Sequence, residues 1–599
     1  MLQTFISAII KTRLRVFLFL FCFGFILYGQ TTTYSYTDLD DSILINENIA
    51  FLEKGSNAGK IFSQSVFSMR PEDHDNYYRP LLVGSFMLDA HIGGGSLWMF
   101  HITNILIHII ASFLLFLLFY KLQYKNEISF IAALIFLCHP VFTTAIAWVP
   151  GRNDSLLAVF FLAALFKLID YHKNSNVVNL FFHHFFFLLC LFTKETALFL
   201  PPVLFFFLVL ISKDKRLSKK NNLLVFNLKK SKSLLFIFGW VISVLIYEYF
   251  RHLALANADA VSFREVINVF EKYAPVIIQY IGKLLFPFNL STYPIMEDTT
   301  YLFGLLGLII IVFIFLKREK TLRYFWMGLV LFILFLLPAA IIKENALEHR
   351  LYLPAIGFFL MCMENSYVSK IRFDKGASGG IAILVVVLFS VLTMRNGKNY
   401  KDETTFWAKG LETSPHSAKV HFQMGAYYQI EGRSAEAENE YKQAIELNPD
   451  MPDVHNNLGK LLIAKEQYDE AEKVLLTEIG IKPNPVAYYN LATVYELKGN
   501  ISEAKKYINK ALEMNLNYAD ALVDLGILYA REKNFDKALD LCRQTLVADP
   551  ENKLAYKNIT LIYLAKKQLK EAKEYYLKSK QMGVEINVPL LDTLNTSSL

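Results

Sequence analysis

The last third of this chain repeats itself with a period that leaves little freedom of fold. Small residues recur at Gly425, Gly459, Ala492 and Gly526, and again at Ala437, Ala471, Ala504, Ala538 and Ala572, in steps of 33 or 34 residues. Pro415, Pro449, Pro483 and Pro550 close most of the units. A period of that length predicts stacked antiparallel helix pairs, with the small residues where two helices approach closely. Each pair buries its apolar face only against its neighbours, so the units form an α-solenoid. About five of them run over residues 418–584, followed by a tail at 585–599.

The first two thirds have another nature. The chain is 54% hydrophobic and 15% aromatic, with a mean hydropathy of +0.32. That is too apolar for a soluble protein, yet the segment after about residue 395 reads as ordinary soluble helix. The apolar excess therefore belongs to residues 1–395, an all-α polytopic membrane bundle, joined by a lead-in at 396–417 to the repeats, whose pattern is that of tetratricopeptide repeats. Lys11, Arg13 and Arg15 followed by the apolar run Val16 to Tyr28 resemble a signal peptide, but no small-residue cleavage site follows Gly29. The run reads as an uncleaved first span. Ten more lie near residues 97–120, 128–148, 154–170, 178–193, 196–211, 233–250, 301–316, 324–342, 351–367 and 378–394, about eleven in all.

Net charge is +7, but the basic residues concentrate in short loops between apolar runs, notably Lys213 to Lys232 and Lys317 to Arg323. They set orientation in a bilayer and do not point to nucleic acid. With a cytoplasmic N-terminus and residues 275–289 lying as an interfacial or re-entrant helix, eleven spans put the repeats outside the cytoplasm. The five cysteines are scattered singly and form no disulfide or metal pattern. Phosphate-binding glycine loops, nucleophile elbows and zinc motifs are absent from the sequence, which excludes soluble nucleotide chemistry by the usual routes.

The same topology gathers the unusual residues on one side. Asp38, Asp40 and Asp41, then Glu72, Asp73 and Asp75, precede Tyr78-Arg79-Pro80-Leu81 in the first outer loop. Neighbouring carboxylates raise one another's pKa, which suits one as a base and the other to orient an acceptor or a metal; a solvated acidic loop is the plainer reading. Gly151-Arg152-Asn153-Asp154 follows His139-Pro140 and Trp148 at a tight turn. There Arg152 and Asp154 either pair and cap the next helix, or Arg152 clamps a phosphate. Lys194-Glu195 lies between two spans, where an internal ion pair and a substrate-facing lysine are both open. Glu344, Glu348, His349 and Arg350 precede Leu351-Tyr352-Leu353-Pro354. His101, His108, His183 and His184 have no partner at metal-ligand spacing and read as packing residues.

Taken in order, Asp40-Asp41, Tyr78-Arg79-Pro80-Leu81, His139-Pro140 with Gly151-Arg152-Asn153-Asp154, Lys194-Glu195-Thr196 and Glu348-His349-Arg350-Leu351-Tyr352-Leu353-Pro354, followed by the repeats, resemble the transmembrane and tetratricopeptide repeat-containing O-mannosyltransferases. The likeness spans nearly the whole chain. It implies a GT-C glycosyltransferase fold, a polyprenyl-phosphate sugar donor and work at the non-cytoplasmic face. Carried over by position, it makes Asp40 or Asp41 the base or acceptor-orienting carboxylate, and Arg350, Lys194 and Arg152 the donor-phosphate ligands. Arg79, Asp154, Glu195, Glu348 and His349 support them. Thr144-Ala145 departs from the acidic residues common in animal members, leaving acceptor and sugar open.

The function implied is transfer of a sugar, mannose by resemblance, to Ser or Thr hydroxyls of exported proteins presented by the repeats. Transfer to an envelope glycan or lipid, and a non-enzymatic membrane-anchored scaffold, are the alternatives. The sequence specifies no cofactor and leaves metal dependence open; a divalent cation could sit at the acidic pair. Richness in Phe, Ile and Lys points to a bacterial inner membrane with periplasmic repeats.

Overall fold

The computed structural model describes residues 2–67, 77–214, 230–255, 263–316, 323–340, 347–373, 378–584 and 586. Glu72, Asp73, Asp75, Glu344, most of the basic loop before Lys232 and nearly all of the tail lie outside them. The described residues are helices and connecting turns, without strands. They divide into two compact units, residues 1–416 and 417–599.

Every apolar run expected to cross a membrane is helical in the first unit. Among the described residues, six helices are long and apolar enough to span, including Arg13–Thr33, Leu97–Lys121, Val149–Asn174 and Ser378–Tyr400. A seventh span arises if Asn126–Leu137 and Pro140–Ala147, bent by 47° at His139-Pro140, are one. The bend follows from Pro140, which has no N–H to donate and pushes the residue before it out of helix. The remaining four expected runs form shorter apolar helices, Val177–Thr193, Leu302–Leu316, Arg323–Leu336 and Tyr352–Met363. Val276–Leu285 has only ten residues, shorter than a crossing requires. Ile381, Leu384, Val387 and Val391 on one helix, and Phe181 and Phe185 on another, stay exposed. Helices satisfy their own backbone polar groups, so such faces suit lipid.

Local sequence sets where the site's elements start and stop. Pro80 opens the helix Pro80–Gly93, and Gly94, at φ +55°, ends it with its N–H donating to the Ala90 carbonyl. The segment after the last long helix folds back into the same unit. Ser35 N–H donates to the Lys401 carbonyl at 2.8 Å, Thr144 Oγ1 meets Tyr400 Oη at 2.8 Å, and Thr292 Oγ1 donates to the Phe406 carbonyl at 2.9 Å. Phe406 and Trp407 are fully buried.

The second unit is five helix pairs, from Ala418–Ile430 with Ser434–Leu447 to Lys553–Ala565 with Leu569–Gln581. The five repeating alanines from Ala437 to Ala572 are fully buried. The turns between paired helices use left-handed residues at Gly432, Glu466, Gly499, Lys533 and Lys567, keeping the sequence period.

Candidate functional site

A cavity of about 680 Å³ opens in the first unit and draws its walls from segments far apart in sequence. Asp40, Arg79, Asp154, Lys194, Glu195, His349 and Arg350 all reach it. Seven of the ten residues marked out by the sequence thus meet in one place. Tyr77, Trp148, Asn153, Thr196, Glu248 and Arg251 complete its polar lining, while residues such as Leu198, Phe199, Phe335, Leu353 and Pro354 make an apolar side. Leu198 and Phe199 are 37% and 43% exposed.

The charges are organised by cross-pairing. Lys194 Nζ lies 2.7 Å from Asp154 Oδ2, with His349 Nε2 3.8 Å from the same oxygen. Arg79 makes a two-pronged pair with Glu195, Nε to Oε2 at 2.9 Å and Nη2 to Oε1 at 2.6 Å, and its guanidinium lies over the Tyr77 ring. A planar fork meeting a carboxylate this way fixes both side chains. Lys194 and Glu195 therefore do not pair with each other, because consecutive residues at this turn point to different partners. Burial alone would lower the Arg79 pKa, but the Glu195 carboxylate raises it above its usual value. Burial, and then the positive charge of Lys194, Arg350 and Arg79, hold the His349 pKa well below 6.5, so its imidazole is neutral.

Arg152 departs from the phosphate-clamp expectation. It is fully buried and absent from the cavity wall, its Nη1 2.6 Å from Asp89 Oδ2. Its N–H groups also donate to Asn104 Oδ1 at 2.6 Å, Ser85 Oγ at 3.0 Å and the Phe100 carbonyl at 2.7 Å. Residues two apart on a helix face different ways, so Asp154 turns to the cavity and Arg152 turns into the bundle. Arg152 ties the helix it begins to Pro80–Gly93 and Leu97–Lys121; it has no fork left for a phosphate.

Within the acidic pair the two carboxylates have separate surroundings. Asp40 lines the cavity. Asp41 is 3% exposed and accepts from Thr37 N–H at 2.7 Å, Thr37 Oγ1 at 3.1 Å and Leu39 N–H at 3.1 Å. Burial raises its pKa, and those hydrogen bonds oppose the rise. Such local bonds shape the loop that carries Asp40. Glu348 also lies off the cavity. It is 1% exposed and pairs with Lys283 Nζ at 2.7 Å, which pins the short helix Val276–Leu285 to the segment carrying His349 and Arg350. Among the described residues, no three His, Cys, Asp or Glu side chains are arranged to hold a metal ion.

Sequence reading passed over Asp89, Glu248 and Arg251, and took Lys283 only as a sign that its helix does not cross. Each is an ionisable residue within or beside an apolar stretch, a costly placement that itself signals a buried partner or a cavity. His108, by contrast, is a packing residue, bonded to Tyr352 Oη at 2.6 Å and to the Leu137 carbonyl at 3.0 Å.

Comparison with known proteins agrees with this architecture. The dolichyl-phosphate-mannose-protein mannosyltransferase family matches residues 83–229, a stretch that holds Trp148, Asp154, Lys194 and Glu195. Two tetratricopeptide repeat families match residues 429–493 and 489–553. Protein O-mannosyl-transferase F38B6.6 of Caenorhabditis elegans is 27% identical over 65% of this chain and 57% of its own length. Protein O-mannosyl-transferase TMTC3 of Homo sapiens is 23% identical over 87% of this chain and 62% of its own. The chain is a relative of the transmembrane and tetratricopeptide repeat-containing protein O-mannosyl-transferases. It spans about three-fifths of the length of these two relatives. The solved structure of MamA is matched over 26% of this chain and 94% of its own, at 25% identity and a TM-score of 0.25.

Proposed function

We propose that the chain is a membrane glycosyltransferase that moves mannose from a polyprenyl-phosphate carrier to Ser or Thr hydroxyls of exported proteins. One observation carries the reading. A single cavity sets a carboxylate, Asp40, and the cations Arg350 and Lys194 together with an apolar side that includes the exposed Leu198 and Phe199. A lipid-linked sugar phosphate has the same two-sided character, and the kinship to protein O-mannosyl-transferases supports mannose and a protein acceptor.

Asp40 takes the proton of the acceptor hydroxyl as its oxygen attacks the anomeric carbon. The bond from that carbon to the phosphate oxygen breaks, the configuration inverts, and the lipid phosphate departs. Phosphate is a good leaving group, so one carboxylate suffices where glycoside hydrolysis needs two. Arg350 and Lys194 stabilise the charge growing on the phosphate, Lys194 being oriented by Asp154 and Arg79 by Glu195. Asp41 holds the shape of the loop bearing Asp40. The basic loops support a cytoplasmic N-terminus, with the cavity and the repeats on the non-cytoplasmic side, periplasmic in a bacterial inner membrane; the repeats bind the acceptor segment.

The test is transfer of radiolabel from polyprenyl-phosphate mannose to host membrane and secreted proteins by the full chain in nanodiscs. Alkali-labile label on protein, lost in Asp40→Asn with the unfolding midpoint kept, is the expected result. Label appearing in glycan or lipid would refute the protein acceptor, and equal labelling by Asp40→Asn would refute the base.

A further inference from the structure

The helix Lys230–Ala254, whose stretch Leu234–Ala254 is long and apolar enough to span, has two distinct faces. Phe236, Trp240, Ser243 and Tyr247 are buried, while Phe238, Val241, Leu245 and Tyr249 are exposed. An exposed apolar stripe on a span suits lipid. Glu248 continues that stripe, seven and three residues after Val241 and Leu245, whereas Arg251 continues the buried face, four residues after Tyr247. Both line the cavity. The Tyr247 ring lies 5.8 Å from that of Tyr78 and 6.1 Å from that of Phe192, so this end of the helix packs beside the segments that carry Arg79 and Lys194. An anion and a cation thus stand where a lipid-facing surface meets the polar cavity. Arg79 and Lys194 each hold a carboxylate, at 2.6 and 2.7 Å. Arg251 meets Glu248 Oε2 only at 3.5 Å, longer than a charge-assisted hydrogen bond, and the two side chains are 37% and 43% exposed. Such a pair is weak and gives way to a better partner. A phosphate is one, because the planar guanidinium meets two of its oxygens at once.

We propose that Arg251 binds the phosphate of the polyprenyl carrier from the lipid side and so sets the affinity for the donor. The inference rests on the reading of the cavity as a site for a lipid-linked sugar phosphate and deepens it. It follows the order of that molecule: the polyprenyl chain lies along Val241, Leu245 and Tyr249, the phosphate at Arg251, and the sugar beyond it toward Asp40. Lys194 and Arg350 meet the same phosphate from the sugar side, where charge grows as the bond breaks. Glu248 competes with the phosphate for Arg251 and repels it. In the topology proposed above, this helix starts from the cytoplasmic basic loop and ends with Arg251 at the outer interface, the level of the bilayer's own phosphates.

The test measures binding of polyprenyl phosphate, with and without mannose, to the full chain in nanodiscs of phosphatidylcholine. Arg251→Gln is expected to weaken both lipids about tenfold, the loss of a charge-assisted hydrogen bond, and Glu248→Gln to tighten both about two- to fivefold by releasing Arg251. The opposite signs separate phosphate binding from a structural pair, whose loss from either side acts alike. Unchanged binding in Arg251→Gln, or weaker binding in both variants, overturns the inference, and the transferase reading survives if wild type still transfers mannose. A wild type that binds the carrier through Arg251 yet transfers no mannose leaves the inference standing and refutes the transferase. Inorganic phosphate, which lacks a chain to bury, is expected to displace the carrier only at more than about a hundredfold higher concentration. Displacement at equal concentration would make this a site for free phosphate and overturn the lipid assignment. Should Arg251→Gln not fold, Glu248→Gln decides alone: tighter binding supports the inference and no tightening overturns it.

Discussion

Replacing Arg152 by Met separates a structural cation from a substrate cation. The substitution keeps most of the apolar stem and removes the charge and every N–H. Asp89, 1% exposed, would keep a hydrogen bond from Thr103 Oγ1 but lose its ion pair. Breaking a buried pair by removing one partner costs about 3–5 kcal/mol. Asn104 Oδ1 and the Phe100 carbonyl would lose donors at 2.6 and 2.7 Å, at about 1 kcal/mol or more each. The sum, about 5–7 kcal/mol, is comparable to the whole net stability of many domains. Arg152→Met is therefore expected to give little folded protein, and Asp89→Leu with Arg152→Met to recover most of the loss, because the unpaired carboxylate is then gone. The assay is the unfolding midpoint and monodispersity in detergent, with donor KM measured on the double variant. If Arg152→Met folds like wild type and raises the donor KM, the guanidinium binds phosphate and the structural account is wrong.

Other outcomes follow from single features of the structure. Lys283→Met is expected to cost about 3–5 kcal/mol by stranding Glu348, and the double change with Glu348→Leu to restore most of it, read as unfolding midpoints. His349 has a folded-state pKa below the 6.5 of the unfolded chain, so its contribution to stability is present above pH 6.5 and lost as pH falls below it. His349→Gln should consequently lose about 1.4 kcal/mol less than wild type between pH 7.5 and pH 5.5, and an identical acid loss in both would count against a buried neutral imidazole. Lys533, at φ +61°, occupies the turn position that Gly499 fills one repeat earlier; Lys533→Gly should stabilise the second unit by about 0.5–1 kcal/mol, visible as slower amide exchange in Phe535–Ala548. No gain there would mean that the lysine side chain compensates for its backbone strain.

Hydrophobic patterning and local turn chemistry are properties of neighbouring residues, and they determined the all-helical fold, the apolar runs and the repeat period. A run such as Leu97–Lys121 can only be a helix in lipid, and small residues every 33 or 34 positions can only be helix contacts. Seven residues that the sequence marked out, Asp40, Arg79, Asp154, Lys194, Glu195, His349 and Arg350, line one cavity. Which partner each charge meets was not legible in the sequence. Arg152 stands two residues from Asp154 yet binds Asp89, Lys194 is next to Glu195 yet binds Asp154, and Glu348 is two residues from Arg350 yet binds Lys283. A charge placed at a helix end can turn to several neighbours, and which one it meets depends on how far each helix is rotated and how closely the bundle packs. Only the tertiary structure fixes those rotations, and with them which of Asp40 and Asp41 faces the cavity.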